Sequence, residues 1–203
     1  MSGDIADPRR WSGISPAIAS DCMGRFGAMV GIRRLSGAEM AGPAFPVETA
    51  AGENGTLHRA LRVVPAGAVL VVAAAAGEDR AVWGEVLTLA AEQAGIRGVV
   101  LDGATRDVDA IRGRDFPLFA RATSPAGPHK GWPGRIGEPV ACAGVVVSPG
   151  DVVLGDGDGV AVVPAADAER VLAAARERAG LEQEWLGRIR AGEPSTRVLG
   201  LED

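Results

Sequence analysis

Two carboxylates and one guanidinium stand at a spacing that could build a chemical site. Glu85 is followed, after twenty intervening residues, by the pair Arg106 and Asp107. Carboxylate oxygens are the ligands that Mg²⁺ prefers, and the ion usually takes only one or two of them and keeps several waters. An arginine presents a planar fork that fits a substrate carboxylate. The three residues predict a metal-assisted site for a small anionic substrate, although an ion-pair network that only stabilises the fold would have the same composition.

A helix is predicted to position Glu85. Gly84 precedes a run of apolar residues at helical spacing, and Gly95 is placed to end that helix in the left-handed conformation. Glu85 would then lie in the first turn. The backbone N–H groups of Val86 and Leu87, at the amino end of the helix, suit a carboxylate or an oxyanion.

A strand is predicted to position the other two residues. Residues 98–101 form a short apolar run that is typical of a buried strand, and we expect Asp102 and Gly103 to form a turn after it. Arg106 and Asp107 would then lie just beyond the carboxyl end of the strand. Ligands usually bind at that edge in α/β folds.

Asn54 and His58 are a second pair of candidate residues. They stand four positions apart in the segment ENGTLHRAL, so they share a helix face if the helix begins this early. An amide and an imidazole would then both face a cleft. The alternative is that His58 is a buried histidine with a purely structural role.

Composition excludes several classes of protein. The chain has 203 residues, 47% hydrophobic content and a net charge of −5, which fits one domain with a sizeable core and argues against a nucleic-acid-binding surface. The first ten residues lack the apolar segment of a secretory signal, and the apolar run at 66–76 is too short to cross a membrane. We expect a cytoplasmic protein whose partners are small molecules or proteins, with no nucleic acid and no membrane.

Lysine is almost absent. Lys130, in the segment GPHKGWPG at 127–134, is the single lysine of the chain. A Schiff-base mechanism needs a lysine amine, and this one stands in a flexible-looking loop rich in glycine and proline. The sequence therefore argues against a lysine-dependent aldolase.

Helices and strands are predicted to alternate through the first two thirds of the chain, which indicates an α/β fold. Residues 1–203 are expected to form one domain, with about 1–12 flexible. The expected helices lie at 16–24, 52–64, 84–94 and 107–112, and the expected strands at 68–73, 98–101 and 116–122.

Short β runs and a long helix are predicted for the last third. The runs at 143–147, 152–154 and 160–163 indicate a meander, and residues 165–190 indicate a helix that packs either within the domain or against a partner subunit. The segment GDGDG at 155–159 leads into a strand, so it favours a tight hairpin turn over a dinucleotide-binding loop. It also lacks the later ligands of a calcium loop.

These segments together resemble the RraA-like family, which includes class II pyruvate aldolases acting on 4-hydroxy-4-methyl-2-oxoglutarate and 4-carboxy-4-hydroxy-2-oxoadipate. The most specific part of the resemblance is the pattern described above, in which an acidic residue, Glu85, is followed after twenty residues by Arg106 and Asp107. The segments GVVLDGATRDVDAI, FPLFARATSP, GVVVSPGDVVLGDGDGVAVVP and ENGTLHRAL also look like family segments. The resemblance implies a β/β/α phosphohistidine-domain-like fold, assembled as trimers or hexamers with active sites at subunit interfaces.

The resemblance also implies roles for individual residues. Asp107 would bind Mg²⁺ or Mn²⁺ directly, Glu85 would hold the ion through a water, and Arg106 would grip the pyruvyl group. The remaining candidates would be the amides of Val86 and Leu87 for the substrate carboxylate, Asn54 and His58 as pocket residues, and Glu182 as a catalytic carboxylate from the neighbouring subunit, with Glu184 as its alternative.

Two positions depart from the aldolase pattern. Glu85 stands where the aldolases usually have aspartate, and Ala110 stands where an acidic residue is usual, with Asp109 one step earlier. Both departures bear more on the substrate than on the metal site.

The predicted function is that of a metal-dependent carbon–carbon lyase that acts on a 2-oxo acid through a pyruvate enolate, by retro-aldol cleavage or oxaloacetate decarboxylation. Two alternatives are a non-catalytic regulator that binds a ribonuclease and an enzyme for another oxo acid in a specialised pathway.

Overall fold

An eight-stranded mixed sheet forms the centre of the molecule in a computed structural model that describes residues 5–201. The strands are β1 (Arg33–Ser36), β2 (Met40–Glu48), β3 (Val69–Trp83), β4 (Gly98–Thr105), β5 (Leu118–Thr123), β6 (Arg135–Ile136), β7 (Val140–Cys142), β8 (Val145–Val147), β9 (Val152–Gly155) and β10 (Val160–Val163). The α-helices are α1 (Pro16–Cys22), α2 (Gly55–Ala60), α3 (Glu85–Gln93), α4 (Val108–Arg112), α5 (Ala168–Arg190) and α6 (Ser195–Val198).

The strands β2, β3, β4 and β5 run parallel to one another, and a helix connects each consecutive pair. All eight residues of β4 are buried. Apolar clusters cover the central strands, and one of them includes residues of α2, α3 and α4. Burial on both faces explains why these strands read as continuous Val, Leu and Ala runs, as expected for a parallel sheet. The α/β class predicted from the sequence is therefore confirmed.

Antiparallel strands flank this parallel core at both edges, with β1 beside β5 and with β9 and β6 beside β2. The order across the sheet is β1-β5-β4-β3-β2-β9-β10, and β6 pairs with the end of β2. The first half of β2 pairs with β9 and its second half with β3, so the sheet curls around β2.

The predicted meander is wrong, because the short β runs form two separate hairpins. β9 and β10 pair in the main sheet, whereas β7 and β8 form a two-stranded sheet of their own. The hairpin turn predicted for GDGDG is confirmed. It joins β9 to β10, and Asp156 donates its N–H to the carbonyl of Gly159 at 3.0 Å.

Three further boundaries differ from the sequence prediction. Asp102 and Gly103 do not form a turn, because β4 continues through them to Thr105. The helix expected at 52–64 is limited to Gly55–Ala60, and the strand expected at 68–73 extends to Trp83 as an irregular strand.

The two ends of the described chain are packed. Residues 5–12, expected to be flexible, include a 3₁₀ helix at Pro8–Trp11, and Trp11 is buried with its indole N–H donated to the carbonyl of Ile5 at 2.8 Å. Residues 1–4 lie outside the described part. The predicted long C-terminal helix is present as α5, whose first half packs against α1.

No helix within 5–201 has the length and apolar character that crossing a membrane requires.

Candidate functional site

Pairing between β3 and β4 brings Glu85 close to Arg106 and Asp107. Trp83 and Thr105 are paired at the carboxyl ends of β3 and β4, and Arg106 donates its N–H to the Trp83 carbonyl at 3.1 Å. Glu85 follows β3 at the same sheet edge at which Arg106 follows β4. The twenty residues between Glu85 and Arg106 thus form most of one helix and one strand, which belong to a single βαβ unit.

Asp107 connects the two segments. Its Oδ2 accepts a hydrogen bond from the Glu85 N–H at 3.1 Å and lies 3.5 Å from the Arg106 Nε. The carboxylate therefore caps the amino end of α3, where negative charge is favourable. The ion pair that the sequence offered as a structural explanation is present, and together with the capping contact it holds the carboxylate beside the arginine.

The backbone at Asp107 is left-handed, with φ 58° and ψ 32°, at the amino end of α4. Aspartate and asparagine are among the few non-glycine residues that adopt this conformation readily. Gly84 is required for a different reason, since a Cβ there would lie 2.7 Å from Asp107 Oδ2 and 3.2 Å from Arg106 Cγ. Any side chain at this position would therefore have to displace Asp107 Oδ2.

A cavity of about 200 Å³ adjoins these residues. Six of the residues proposed from the sequence line it, namely Asn54, His58, Val86, Leu87, Arg106 and Asp107; the other lining residues are Ala81, Trp83, Gly84, Pro128 and Lys130. A guanidinium, a carboxylate and the first-turn N–H groups of a helix therefore face one small space. That combination suits a small molecule that carries a carboxylate.

The Glu85 side chain does not line this cavity. Its Oε1 lies 3.5 Å from an Arg114 Nη, and Arg114 also pairs with Glu92 at 3.1 Å. The carboxylate is about half exposed, at 47%. Glu85 thus contributes its backbone N–H to Asp107 while its side chain is held beside the site by Arg114.

Asn54 begins α2, but its side chain makes no capping hydrogen bond. The residue is 7% exposed, and its Oδ1 is the one buried side-chain N or O atom in the described part of the chain that has no hydrogen-bond partner. The His58 N–H is donated to the Asn54 carbonyl at 3.3 Å, which places the two residues one helical turn apart at the start of α2. Burial of the imidazole and the positive charge of Lys130 lower the pKa of His58, and the negative charge of Glu53 opposes them.

Sequence reasoning missed the wall of the cavity that Pro128 and Lys130 of the segment 127–134 form. His129 pairs with Glu53 in a parallel β-bridge, donates its N–H to the Gly52 carbonyl at 2.7 Å and accepts the Asn54 N–H at 3.1 Å. Lys130, expected in a flexible loop, therefore lines the cavity on a paired segment. The signal in the sequence that could have pointed to this wall was Lys130 itself, which is the single lysine in a chain whose other basic residues are mostly arginines.

Glu53 was also missed. It is fully buried, and its carboxylate accepts hydrogen bonds from the Thr49 hydroxyl at 2.8 Å and the Gly55 N–H at 2.8 Å. Burial alone raises the pKa of Glu53, but hydrogen bonds from Thr49 and the N–H groups of Gly55, Thr56 and Gly131 outweigh it, so the pKa lies below its ordinary value. The charged Glu53 thus connects the start of α2 to the loop that carries Lys130.

Glu182 is not part of this cavity within one chain. It lies on α5, where its Oε1 accepts a hydrogen bond from the Arg178 Nε at 2.8 Å. Any contribution to a site would have to reach a neighbouring copy, as would that of the alternative residue, Glu184.

A divalent cation such as Mg²⁺ is held in proteins by carboxylate oxygens and retained waters. Within residues 5–201, no three His, Cys, Asp or Glu side chains come together in a cluster that could hold a metal ion. Asp107 places a hard oxygen donor in the cavity. Glu85, the second acidic residue, is bonded to Asp107 through its backbone N–H. One or two carboxylates with retained waters is the usual protein contribution to Mg²⁺, so a single carboxylate in the cavity is compatible with this ion. Mn²⁺ shares the preference for oxygen donors.

The chain is similar in sequence or in fold to several known proteins. A protein of Halalkalibacterium halodurans named "Putative 4-hydroxy-4-methyl-2-oxoglutarate aldolase" is 38% identical over 140 residues, which are 69% of this chain and 67% of the relative. A crystal structure of an uncharacterized protein from Pseudomonas syringae pv. tomato has a TM-score of 0.84 at 26% identity, with 98% of each chain covered. Streptomyces coelicolor RraAS2, described as an unusual member of the RNase ES inhibitor RraA protein family, has a TM-score of 0.79 at 28% identity, covering 93% of this chain and 98% of that one.

The family model described as RraA-like, Aldolase/RraA, matches residues 6–162. With most of its length matched and its fold shared with solved members, the chain belongs to the RraA-like family.

Proposed function

We propose that this protein is a divalent-metal-dependent lyase that breaks a carbon–carbon bond in a 2-oxo acid and releases pyruvate, by retro-aldol cleavage, by oxaloacetate decarboxylation or by both. The observation that supports it is the cavity in which Arg106, Asp107 and the amino end of α3 meet. The name of the Halalkalibacterium relative favours the aldolase side of this proposal.

Binding of the pyruvyl group follows from the charges that line the cavity. The Arg106 guanidinium pairs with the substrate carboxylate and the neighbouring 2-oxo oxygen, and the N–H groups of Val86 and Leu87 have no acceptor within their own helix because they lie in its first turn. Asp107, with Glu85 acting through water, would hold Mg²⁺ or Mn²⁺, which supplies Lewis-acid stabilisation of charge on the 2-oxo oxygen when bound.

The reaction places negative charge where Arg106 can stabilise it. In retro-aldol cleavage the C4 hydroxyl loses its proton, the C3–C4 electron pair moves to C2–C3, and C4 leaves as a carbonyl group. In oxaloacetate decarboxylation the same bond breaks with loss of CO₂. Both routes give the enolate of pyruvate, which takes up a proton at C3. Fixed positive charge beside the developing oxyanion is the term expected to contribute most to the rate.

A carboxylate must move the protons. Glu85 lies beside the cavity and is half exposed, so it can act through a water. Glu182 from a neighbouring copy is the second candidate for this role.

The proposal therefore includes a homo-oligomer, a trimer or a hexamer, with sites at subunit interfaces. The second half of α5, whose Leu181, Leu186 and Ile189 are 40–42% exposed, offers an apolar surface for such contacts.

The test is pyruvate release from oxaloacetate and from 4-hydroxy-2-oxo acids, measured with Mg²⁺, with Mn²⁺ and with a chelator. We expect metal-dependent turnover of at least one substrate and its loss in Asp107→Asn. The absence of metal-dependent turnover on all of them contradicts the proposal.

Subunit sharing has its own test. Asp107→Asn and Glu182→Gln variants are each expected to be nearly inactive. If each site combines Asp107 of one copy with Glu182 of another, unfolding and refolding the two variants together restores a fraction of the wild-type activity. Activity that stays at the level of the separate inactive variants shows that both residues serve the same subunit, and a Glu182→Gln variant that is fully active by itself shows that Glu182 has no role.

A non-catalytic regulator is the second candidate function, and the structural likeness to RraAS2 favours it. A pull-down with ribonucleases of the host distinguishes the two. Ribonuclease binding that persists in Asp107→Asn, together with no turnover of any 2-oxo acid, supports the regulator.

A further inference from the structure

Glu53 is the most deeply buried carboxylate within residues 5–201, with 0% of its surface exposed. It stands one residue before Asn54, which lines the cavity, although the Glu53 side chain does not line it. Burying a charged carboxylate is costly unless hydrogen bonds replace those to water. The bonds that compensate Glu53 therefore show what its charge holds in place.

The Glu53 carboxylate supplies the helix cap that Asn54 does not. The first backbone N–H groups of a helix have no acceptor within the helix. Glu53 Oε1 accepts the Gly55 N–H at 2.8 Å, and Glu53 Oε2 accepts the Thr56 N–H at 3.3 Å. Asn54 stands at the N-cap position of α2, yet its side chain makes no capping bond. Because Glu53 already binds these donors, the Asn54 amide is left to face the cavity.

The Asn54 amide keeps an open acceptor at the cavity. The residue is more than nine-tenths buried, and its Oδ1 has no hydrogen-bond partner within the described part of the chain. Buried polar atoms are nearly always hydrogen-bonded, so this exception requires an explanation. An acceptor fits a donor such as a hydroxyl group or a water molecule. The division of bonds between Glu53 and Asn54 thus keeps one acceptor for a bound molecule.

The same carboxylate also binds the loop that carries Lys130. The Gly131 N–H is bonded to Glu53, and the neighbouring Lys130 lines the cavity. The Thr49 hydroxyl, just after β2, donates to Glu53 Oε2 at 2.8 Å. Two carboxylate oxygens can accept all of these bonds, whereas the amide of glutamine keeps one oxygen and adds a donor. Glu53→Gln must therefore lose at least one bond to a backbone N–H group.

We propose that Glu53 is a positioning residue for the reaction at this site, which holds Asn54 and Lys130 in the cavity wall through the segments that precede α2 and follow His129. The assignment rests on the proposed function. Glu53 makes no contact with the cavity itself, so it acts only through its neighbours. The charge is required as well as the size of the side chain, because donors from both segments converge on it.

The test compares Glu53→Gln with Asp151→Asn. Asp151 is also buried, at 6% exposed, and accepts the N–H groups of Ser148 and Ala165 at 2.7 and 2.8 Å, but it does not line the cavity. Both variants should unfold at a lower urea concentration. Only Glu53→Gln should lower kcat/KM for pyruvate release, by about 10- to 100-fold, the scale for a misplaced binding group. Asp151→Asn should stay within about twofold of the wild type.

Two further variants separate positioning from a general loss of structure. Thr49→Val removes one bond to Glu53 and no atom of the cavity, so it is the milder change and should lower kcat/KM in the same direction. In an Asn54→Leu background, Glu53→Gln should cost less kcat/KM than in the wild type, because part of its effect passes through Asn54. Independent effects would add instead.

Wild-type kcat/KM in folded Glu53→Gln, an equal loss in Asp151→Asn, or fully additive losses with Asn54→Leu overturns the proposal. Amide hydrogen exchange is the measurement that needs no turnover. Exchange of the Gly55 and Gly131 N–H groups should speed up in Glu53→Gln and stay unchanged in Asp151→Asn, and unchanged exchange in Glu53→Gln also contradicts the proposal. Failure of the proposed function would appear separately, as no turnover of any 2-oxo acid by the wild-type protein.

Discussion

The Asp107 carboxylate accepts the backbone N–H of Glu85 at 3.1 Å, across 22 positions of the chain. The contact joins the first residue of the helix after β3 to the last residue before the helix after β4. One side chain therefore has two functions, since it caps α3 and presents an oxygen to the cavity. The two functions can be separated by substitution.

Asp107→Asn should separate stability from activity. Asparagine keeps an acceptor for the Glu85 N–H and tolerates the left-handed backbone, so we expect the free energy of unfolding to change by less than about 1 kcal/mol. Loss of the carboxylate should lower kcat/KM by about 100-fold or more, the scale for removing one electrostatic contributor from an active site. Urea denaturation and pyruvate release measure the two effects. Asp107→Ala is the comparison, and it should lose about 1–2 kcal/mol of stability in addition, because it removes the cap.

Gly84→Ala should affect the site through one methyl group. The new Cβ would lie 2.7 Å from Asp107 Oδ2, which is closer than carbon and oxygen atoms can pack. The backbone at Gly84 is extended, with φ −176°, so the substitution adds no backbone strain. We expect weaker metal binding and at least a tenfold loss of kcat/KM, with Gly180→Ala, where a Cβ meets nothing within 4 Å, as the control. Wild-type activity in Gly84→Ala would show that Asp107 need not keep this position.

Asn54→Leu should be stabilising or neutral while it lowers activity. The leucine side chain has the same branched shape, and the Asn54 amide makes no capping bond that leucine would remove. Eliminating a buried, unpaired Oδ1 relieves a cost of about 1–3 kcal/mol. We expect unfolding at the same or a higher urea concentration and a lower kcat/KM. Thr49→Val is the matched control, since its hydroxyl is bonded to Glu53, and it should be destabilised by about 1 kcal/mol. Clear destabilisation of Asn54→Leu would contradict this account.

His58 should titrate below the ordinary histidine range. The chain has two histidines, so NMR resolves them directly once His129→Gln assigns the spectrum. Lys130→Met removes a positive charge and should raise the pKa of His58, whereas Lys130→Arg should leave it low. Because the pKa is lower in the folded protein, the unfolded chain binds more protons below pH 6.5, and this group reduces stability as the pH falls through that value. An unchanged His58 titration in Lys130→Met would show that the two charges do not interact.

The proximity of Glu85 to Arg106 and Asp107 was predictable from local patterns. One helix and one strand separate them, and parallel strands end at the same sheet edge. Asp102 shows where such patterns fail. Asp-Gly is a turn signal, yet here the Asp102 carboxylate is buried in β4, bonded to the Arg121 Nε at 2.5 Å and the Ala143 N–H at 2.8 Å. Both partners lie far along the chain, so tertiary contacts override the local preference.

The loop that carries Lys130 was unpredictable for the same reason. Its position depends on hydrogen bonds between His129 and residues more than seventy positions earlier. Glycine and proline in the segment indicate a loop but say nothing of its partners. Glu182 stays a prediction for a different reason, because its role requires a second copy of the chain and its contact within one copy is with Arg178.

The left-handed backbone of Asp107 restricts how this protein can change over evolutionary time. Aspartate, asparagine and glycine are the residues that hold this conformation at low cost, and of these only aspartate brings a negative charge. Replacement by asparagine or glycine would keep the β4–α4 junction while the chemistry is lost. A related chain could therefore keep this fold without the proposed lyase activity, and its surface would then be available for binding alone.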